Sequence, residues 1–157
     1  MQIPESMKAQ LGAWNNGRGI DLESWIGCQG SFSLAVGYAV IFWPGFVRYN
    51  GYILRKDFSK DALEGFEAQN QGNRQAVEVV MNHLHIADIQ HLGCEDLTND
   101  KIIFLGNVLK DIYEVKLEHL FPDSPCTVSL YVPDDSEDLM AYEISFWQKK
   151  HEKENNA

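Results

Sequence analysis

The amino-acid sequence predicts an α+β fold: a helical layer packed on a small antiparallel sheet built from hairpins near 46–55 and 126–148. Three observations predict it. Asn50-Gly51 lies between two β-forming flanks, and that dipeptide supplies the two positive-φ residues of a type I′ hairpin turn. Cys126–Val132 and Tyr142–Trp147 alternate apolar with other residues on either side of a turn-rich segment, the pattern of a second, longer hairpin with one face on a core. The remaining segments carry helical spacing. Strands therefore cluster in antiparallel pairs rather than alternating with helices, which argues against a doubly wound parallel sheet.

Residues 3–14 are expected to form a short helix that ends in Asn15-Asn-Gly-Arg-Gly19, a run of residues tolerant of positive φ. Asp21 and Ser31 are expected N-caps of the next two helices, because a short side-chain oxygen there accepts from a free backbone N–H. The helix after Ser31 is apolar nearly all round, with Phe32, Leu34, Ala35, Val36, Tyr38, Ala39, Val40, Ile41 and Phe42. Such a helix is ordinarily the central, buried one, and Trp43 after it is expected in the core. Pro44-Gly45 stops it. Gly27 and Gly30 around Cys28 are expected to mark a tight crossing between two helices.

A helix is expected from Ser59 or Lys60 to about Ala68, and a polar loop over Gln69–Asn73. Residues 74–92 show helical spacing, with Ala76, Val79, Val80, Leu84 and Ala87 on one stripe and Arg74, Glu78 and His85 opposite. Gly93 is expected to end it. Thr98 is expected to cap the clearest helix, ending near Leu120, with Ile102, Leu105, Leu109, Ile112 and the stem of Lys116 facing inward. Asp100 near its start and His119 near its end complement the helix dipole. On the final strand Tyr142, Ile144 and Phe146 share the inner face. Residues 149–157 are polar and expected to fray.

The chain has 157 residues, which fits a single domain spanning 1–157. Its longest apolar stretch, Leu34–Trp43, is shorter than the ~20 residues needed to span a bilayer, so no membrane span is expected. The N-terminal residues show no basic region followed by an apolar run, so no secretory signal is expected. Cys28, Cys94 and Cys126 are odd in number and widely spaced; reduced, mostly buried thiols in a cytoplasmic protein are expected. Net charge is −10, divided unevenly. Residues 1–78 hold 7 Lys/Arg against 8 Asp/Glu, whereas residues 79–157 hold 6 against 15. A surface of that sign repels phosphate backbones, so direct nucleic-acid binding is disfavoured, and it steers basic partners.

The densest set of ligand-type side chains is His83, His85, Asp88, His91, Cys94, Glu95 and Asp96. Their spacing is poor for a metal. On one helix His83 and His91 would stand roughly 12 Å apart along the axis, beyond the reach of a single zinc with ligand bonds near 2.0–2.3 Å. The better pairs are His85 with Asp88 and His91 with Cys94. Glu95, Asp96 and Asp100 are explained as complements to a helix start. Cys28 has no GxGxxG, Walker or GxSxG context, so a nucleophile or anion-site reading gains no motif support. Trp14 and Arg18 flank the Asn15–Gly19 loop and have the residue types of a recognition element.

The expected function is therefore a non-enzymatic, acidic intracellular protein-binding domain, similar in size and charge to immunity or inhibitor proteins. It would dock a basic protein partner through Asp134, Asp135, Glu137, Asp138 and Glu143, with Trp147 or Tyr131 as apolar anchor. No cofactor is expected. The alternative is a metal-dependent or hydrolytic enzyme using the His83–Asp96 segment.

Overall fold

Side-chain caps fix where several helices begin. The computed structural model describes residues 2–90 and 93–156, with side chains through Glu152. Asp21 accepts from Ser24 N, Ser31 from Leu34 N, Ser59 from Ala62 N and Asn73 from Ala76 N. They open α3 (Leu22–Gln29), α4 (Phe32–Phe42), α5 (Lys60–Gln69) and α6 (Arg74–Asn82). Before them come α1 (Glu5–Gly12) and the short α2 (Trp14–Gly17), in which Asn15 and Asn16 take φ of 54° and 56°. The long helix α7 (Asn99–Leu120) follows α6, and Thr98 before it does not cap it by its side chain as expected, because its hydroxyl donates to Asp100. The fold is α+β, with antiparallel sheets of two and three strands.

The two-stranded sheet is the predicted hairpin. β1 (Phe46–Tyr49) pairs with β2 (Tyr52–Arg55), and Asn50 and Gly51 turn between them at φ of 49° and 84°. The three-stranded sheet has order β3-β5-β4, from β3 (Leu84–His85), β4 (Cys126–Tyr131) and β5 (Glu143–Gln148). Its main register runs from Cys126↔Gln148 to Tyr131↔Glu143. α7 lies across this sheet, so close at Gly106 that a Cβ there would come 2.7 Å from Leu130 Cδ1. Between helix and sheet sits the core of Phe46, Ile53, Ile102, Leu109, Tyr113, Leu117, Val128, Ile144 and Phe146. Phe46 meets Tyr113 and Phe146 edge to face, at 5.2 and 5.0 Å between centroids. A smaller cluster of Tyr52, Leu54, Leu63 and Val77 fills the other side of β2 under α5 and α6.

The two sheets are joined by side chains of α6. β3 pairs only with Glu143 and Ile144, which leaves the end of β5 without a strand neighbour on that side. Glu78 and Asn82 fill the gap between it and β2. Glu78 accepts from Ile53 N at 2.9 Å, Gln148 N at 2.8 Å, Gln148 Nε2 at 2.6 Å and His151 Nδ1 at 2.9 Å. Asn82 accepts from Arg55 N and donates to Ile53 O and Phe146 O. Both side chains are fully buried. A carboxylate has about four acceptor sites, and here all four are used.

Several expectations are corrected here. Helical spacing over 74–92 ends at Asn82, and His83 and His85 leave the helix, because residues 84–85 pair with β5. Glu78 was expected opposite the apolar stripe, yet it is buried, because two strand edges need its oxygens. Trp43 is exposed beneath the Lys116 ammonium, which stands 4.2 Å from the centre of its ring. Cys28 and Cys94 are exposed and Cys126 is half-buried, so the thiols are not mostly buried. A Cβ added at Gly27 would meet nothing within 4 Å, so no helix crosses there within the described chain. Residues 149–156 continue as a 3-10 helix, and its first turn is packed: His151 is buried and Glu152 accepts from Thr127 Oγ1 and Trp147 Nε1. The largest correction is α4. None of its residues is buried, although it is apolar nearly all round. Among the described residues no helix is long and apolar enough to cross a membrane.

Candidate functional site: the acidic loop between β4 and β5

The loop that joins β4 to β5 is held from below and charged above. Pro133 and Tyr142 are buried, and Leu139 packs half-buried against the main core. Asn99, at the start of α7, donates from Nδ2 to Ser136 O at 3.0 Å and also to the Tyr142 hydroxyl. Within the loop Asp138 N donates to Asp135 O, Leu139 N to Glu137 O and Ala141 N to Asp138 O. The Asp135 side chain accepts from Glu137 N at 3.0 Å, an Asx-type turn that fixes the backbone locally. These ties leave Asp134, Asp135, Glu137 and Asp138 all exposed. Among the described residues no Lys, Arg or His forms an ion pair with them.

The loop also has apolar neighbours at its rim. Tyr131, Val132 and Met140 are exposed. Tyr131 lies opposite Glu143 in the sheet register, so those two flank the loop together. Sequence reasoning overlooked Val132 and Met140. The available signal was two large apolar residues bracketing a segment whose other side chains are carboxylates and turn formers.

The structure divides the remaining predicted residues. Trp147 pairs with Thr127, four residues along β5 from Glu143, a separation of about 13 Å at the rise of a strand. Its indole N–H is already donated to Glu152. Tyr131, rather than Trp147, is therefore the aromatic residue beside the carboxylates. Glu143 alternates with inward Tyr142 and Ile144 and so lies on the other face of β5, with its Oε2 3.9 Å from His85 Nε2.

The histidine segment does not assemble. His83 is exposed and donates from Nδ1 to Val80 O, and its ring meets His85 edge-on at 5.3 Å between centroids. His85 is on β3, whereas Asp88 is exposed on the 3-10 turn Ile86–Ile89, so the shared helical face assumed for that pair does not exist. His91 lies outside the described residues. Cys94 donates to Asp96, whose carboxylate pushes the thiol pKa up. Among the described residues no three His, Cys, Asp or Glu side chains converge as a metal would require.

Two concavities lie elsewhere on the surface. One, of about 410 Å³, runs between the end of α7 and β4 and includes Glu118, Phe121, Pro125, Cys126 and Lys149. Burial pushes the Cys126 thiol up to about 12, so it stays protonated at neutral pH and is a poor nucleophile. The other, of about 530 Å³, is a shallow bowl around Asn15, Arg18, Asp21 and Ser24. Trp14 is half-buried beside it.

No protein-family model, no curated protein and no solved structure matches this chain.

Proposed function

We propose that the protein is a non-enzymatic binding domain that docks a basic protein partner through the β4–β5 loop. The observation that carries the reading is the pre-set loop itself. Four exposed carboxylates without cationic partners among the described residues stand beside exposed Tyr131, Val132 and Met140. Fixed carboxylates steer a basic partner and set its orientation, while neighbouring apolar side chains supply the desolvated contact. Anchoring by Pro133, Leu139 and Asn99 lowers the ordering cost of binding, because the loop backbone is already bonded.

A lysine-rich peptide of about ten residues is the probe. Added to the labelled full chain, it is expected to shift backbone amide resonances of residues 131–140 before others, with a response that weakens as salt rises. Reversing Asp134, Asp135 and Asp138 to Lys should cut the peptide's association rate about tenfold or more and flatten its salt dependence. Shifts spread evenly over the acidic residues of α7 and the loop, or an unchanged rate in the triple variant, would show that the carboxylates serve only solvation.

A further inference from the structure

We propose that α3 and α4 are a self-association surface, and that the occupant of their exposed apolar faces is the same pair of helices from a second copy of the chain. In α3 and α4 no residue is buried. Tyr38, Ile41 and Phe42 hold α4 to the body by half-buried contacts, and Gln90 donates to the Tyr38 hydroxyl. The rest is open: Phe32 is 93% exposed, Val40 69%, Val36 68%, Trp43 57%, Ile26 56% and Leu34 55%.

Phe32, Val36 and Val40 fall on one side of α4, with Trp43 just past its end, and scaled by side-chain size these four expose roughly 500 Å² of apolar surface. The largest apolar patch on an ordinary monomer is about 300–600 Å². A standard stable interface takes about 800 Å² from each partner. That face alone therefore brings more than half of the contribution one subunit of a dimer needs, before Leu34, Ile26 or any polar rim is added.

Charge selects the occupant. Residues 24–47 contain no Asp, Glu, Lys or Arg, so the surface offers nothing to steer a charged ligand. The chain carries −10 overall, most of it beyond residue 78. Two copies repel wherever those charges meet, and this arm is a long neutral surface on which they do not. A membrane surface fits less well. Interfacial helices pair an apolar face with a polar face rich in Lys and Arg, and α4 has neither charge nor a polar face. Its 11 residues span about 16 Å, roughly half of a hydrocarbon core. A two-fold arrangement, in which each arm meets its equivalent, closes the assembly.

Sedimentation of the full chain at about 1–100 µM tests this. The expected result is a reversible monomer–dimer equilibrium reaching twice the chain mass. Val36→Glu with Val40→Glu should weaken it about 100-fold or more, with circular dichroism and thermal midpoint unchanged at low concentration, because both side chains are already exposed in the monomer. Bismaleimide cross-linking through exposed Cys28, in a Cys94→Ser background, gives a second readout: a covalent dimer that Cys28→Ser abolishes. A wild-type chain that stays monomeric at the top concentration overturns the proposal. So does a dimer indifferent to the double substitution, or a monomer that floats with vesicles of phosphatidylcholine and phosphatidylglycerol.

Discussion

At the scale of single residues, Glu78 does the most for this fold. It is a buried carboxylate that joins two strand edges, a side chain and a histidine. Truncation leaves those donors facing a cavity, so Glu78→Ala is expected to cost about 3–5 kcal/mol in urea unfolding. Glu78→Gln keeps the shape but turns an NH₂ towards groups that also donate. It is expected to cost about 1–3 kcal/mol. A neutral Gln variant would mean that the fourfold acceptor arrangement is dispensable. Asp100 is the second such residue. The Ser6 backbone N–H first, and then the Thr98 hydroxyl, hold its pKa down to about 2. A depressed carboxylate contributes stability that is fully present above its unfolded value near 4 and is lost as pH falls towards 2. Between pH 4 and 2 the wild-type thermal midpoint should therefore fall more steeply than that of Asp100→Asn, a difference calorimetry reads directly. Both residues use bonds to distant backbone, Glu78 to β2 and β5 and Asp100 to α1. That is why residue type and spacing gave one of them a surface position and the other only a dipole role.

At the scale of elements, local signals were legible and tertiary ones were not. The Asn50-Gly51 hairpin, the caps at Asp21 and Ser31, the helix start at Ser59 or Lys60 and the final hairpin all follow from rules acting along the local sequence. The Lys116 stem was expected inward and is buried, with its ammonium donating to Trp43 O. The errors have one physical origin. Period alone reads residues 74–92 as one helix, but pairing with β5 draws Leu84 and His85 into a strand and scatters the histidine set. All-round apolar composition states that α4 must be covered, yet it cannot state by what. Burial within the same chain was the default assumption, and this chain leaves the helix open. The candidate loop was legible because an acidic turn between two alternating strands faces solvent by construction. Val132 and Met140, exposed at the rim of that loop, were overlooked because Val132 was read as the end of a strand and Met140 falls in the turn before the next one.

At the scale of the whole molecule, charge and apolar surface are segregated, and the two surfaces should answer to salt in opposite ways. Residues 79–157 carry 15 Asp/Glu against 6 Lys/Arg, while residues 24–47 are uncharged. Attraction between the β4–β5 loop and a basic peptide is Coulombic and exposed, so screening weakens it as the Debye length falls from about 10 Å at 0.1 M to 3 Å at 1 M. The salt-dependent part of association through α3 and α4 is the long-range repulsion of two acidic chains, which the same screening removes. Surface ion pairs such as Arg48–Asp123 and Lys101–Asp96 are worth only about 0–1 kcal/mol each, too little to reverse either trend. Raising sodium chloride from about 0.05 to 0.5 M should therefore raise the dissociation constant of the lysine peptide and lower that of the dimer. Titration calorimetry reads the first and sedimentation equilibrium the second, on one preparation. Two constants that move together would mean that both contacts draw on the same charged surface, and the division of labour argued from the segregation would fail.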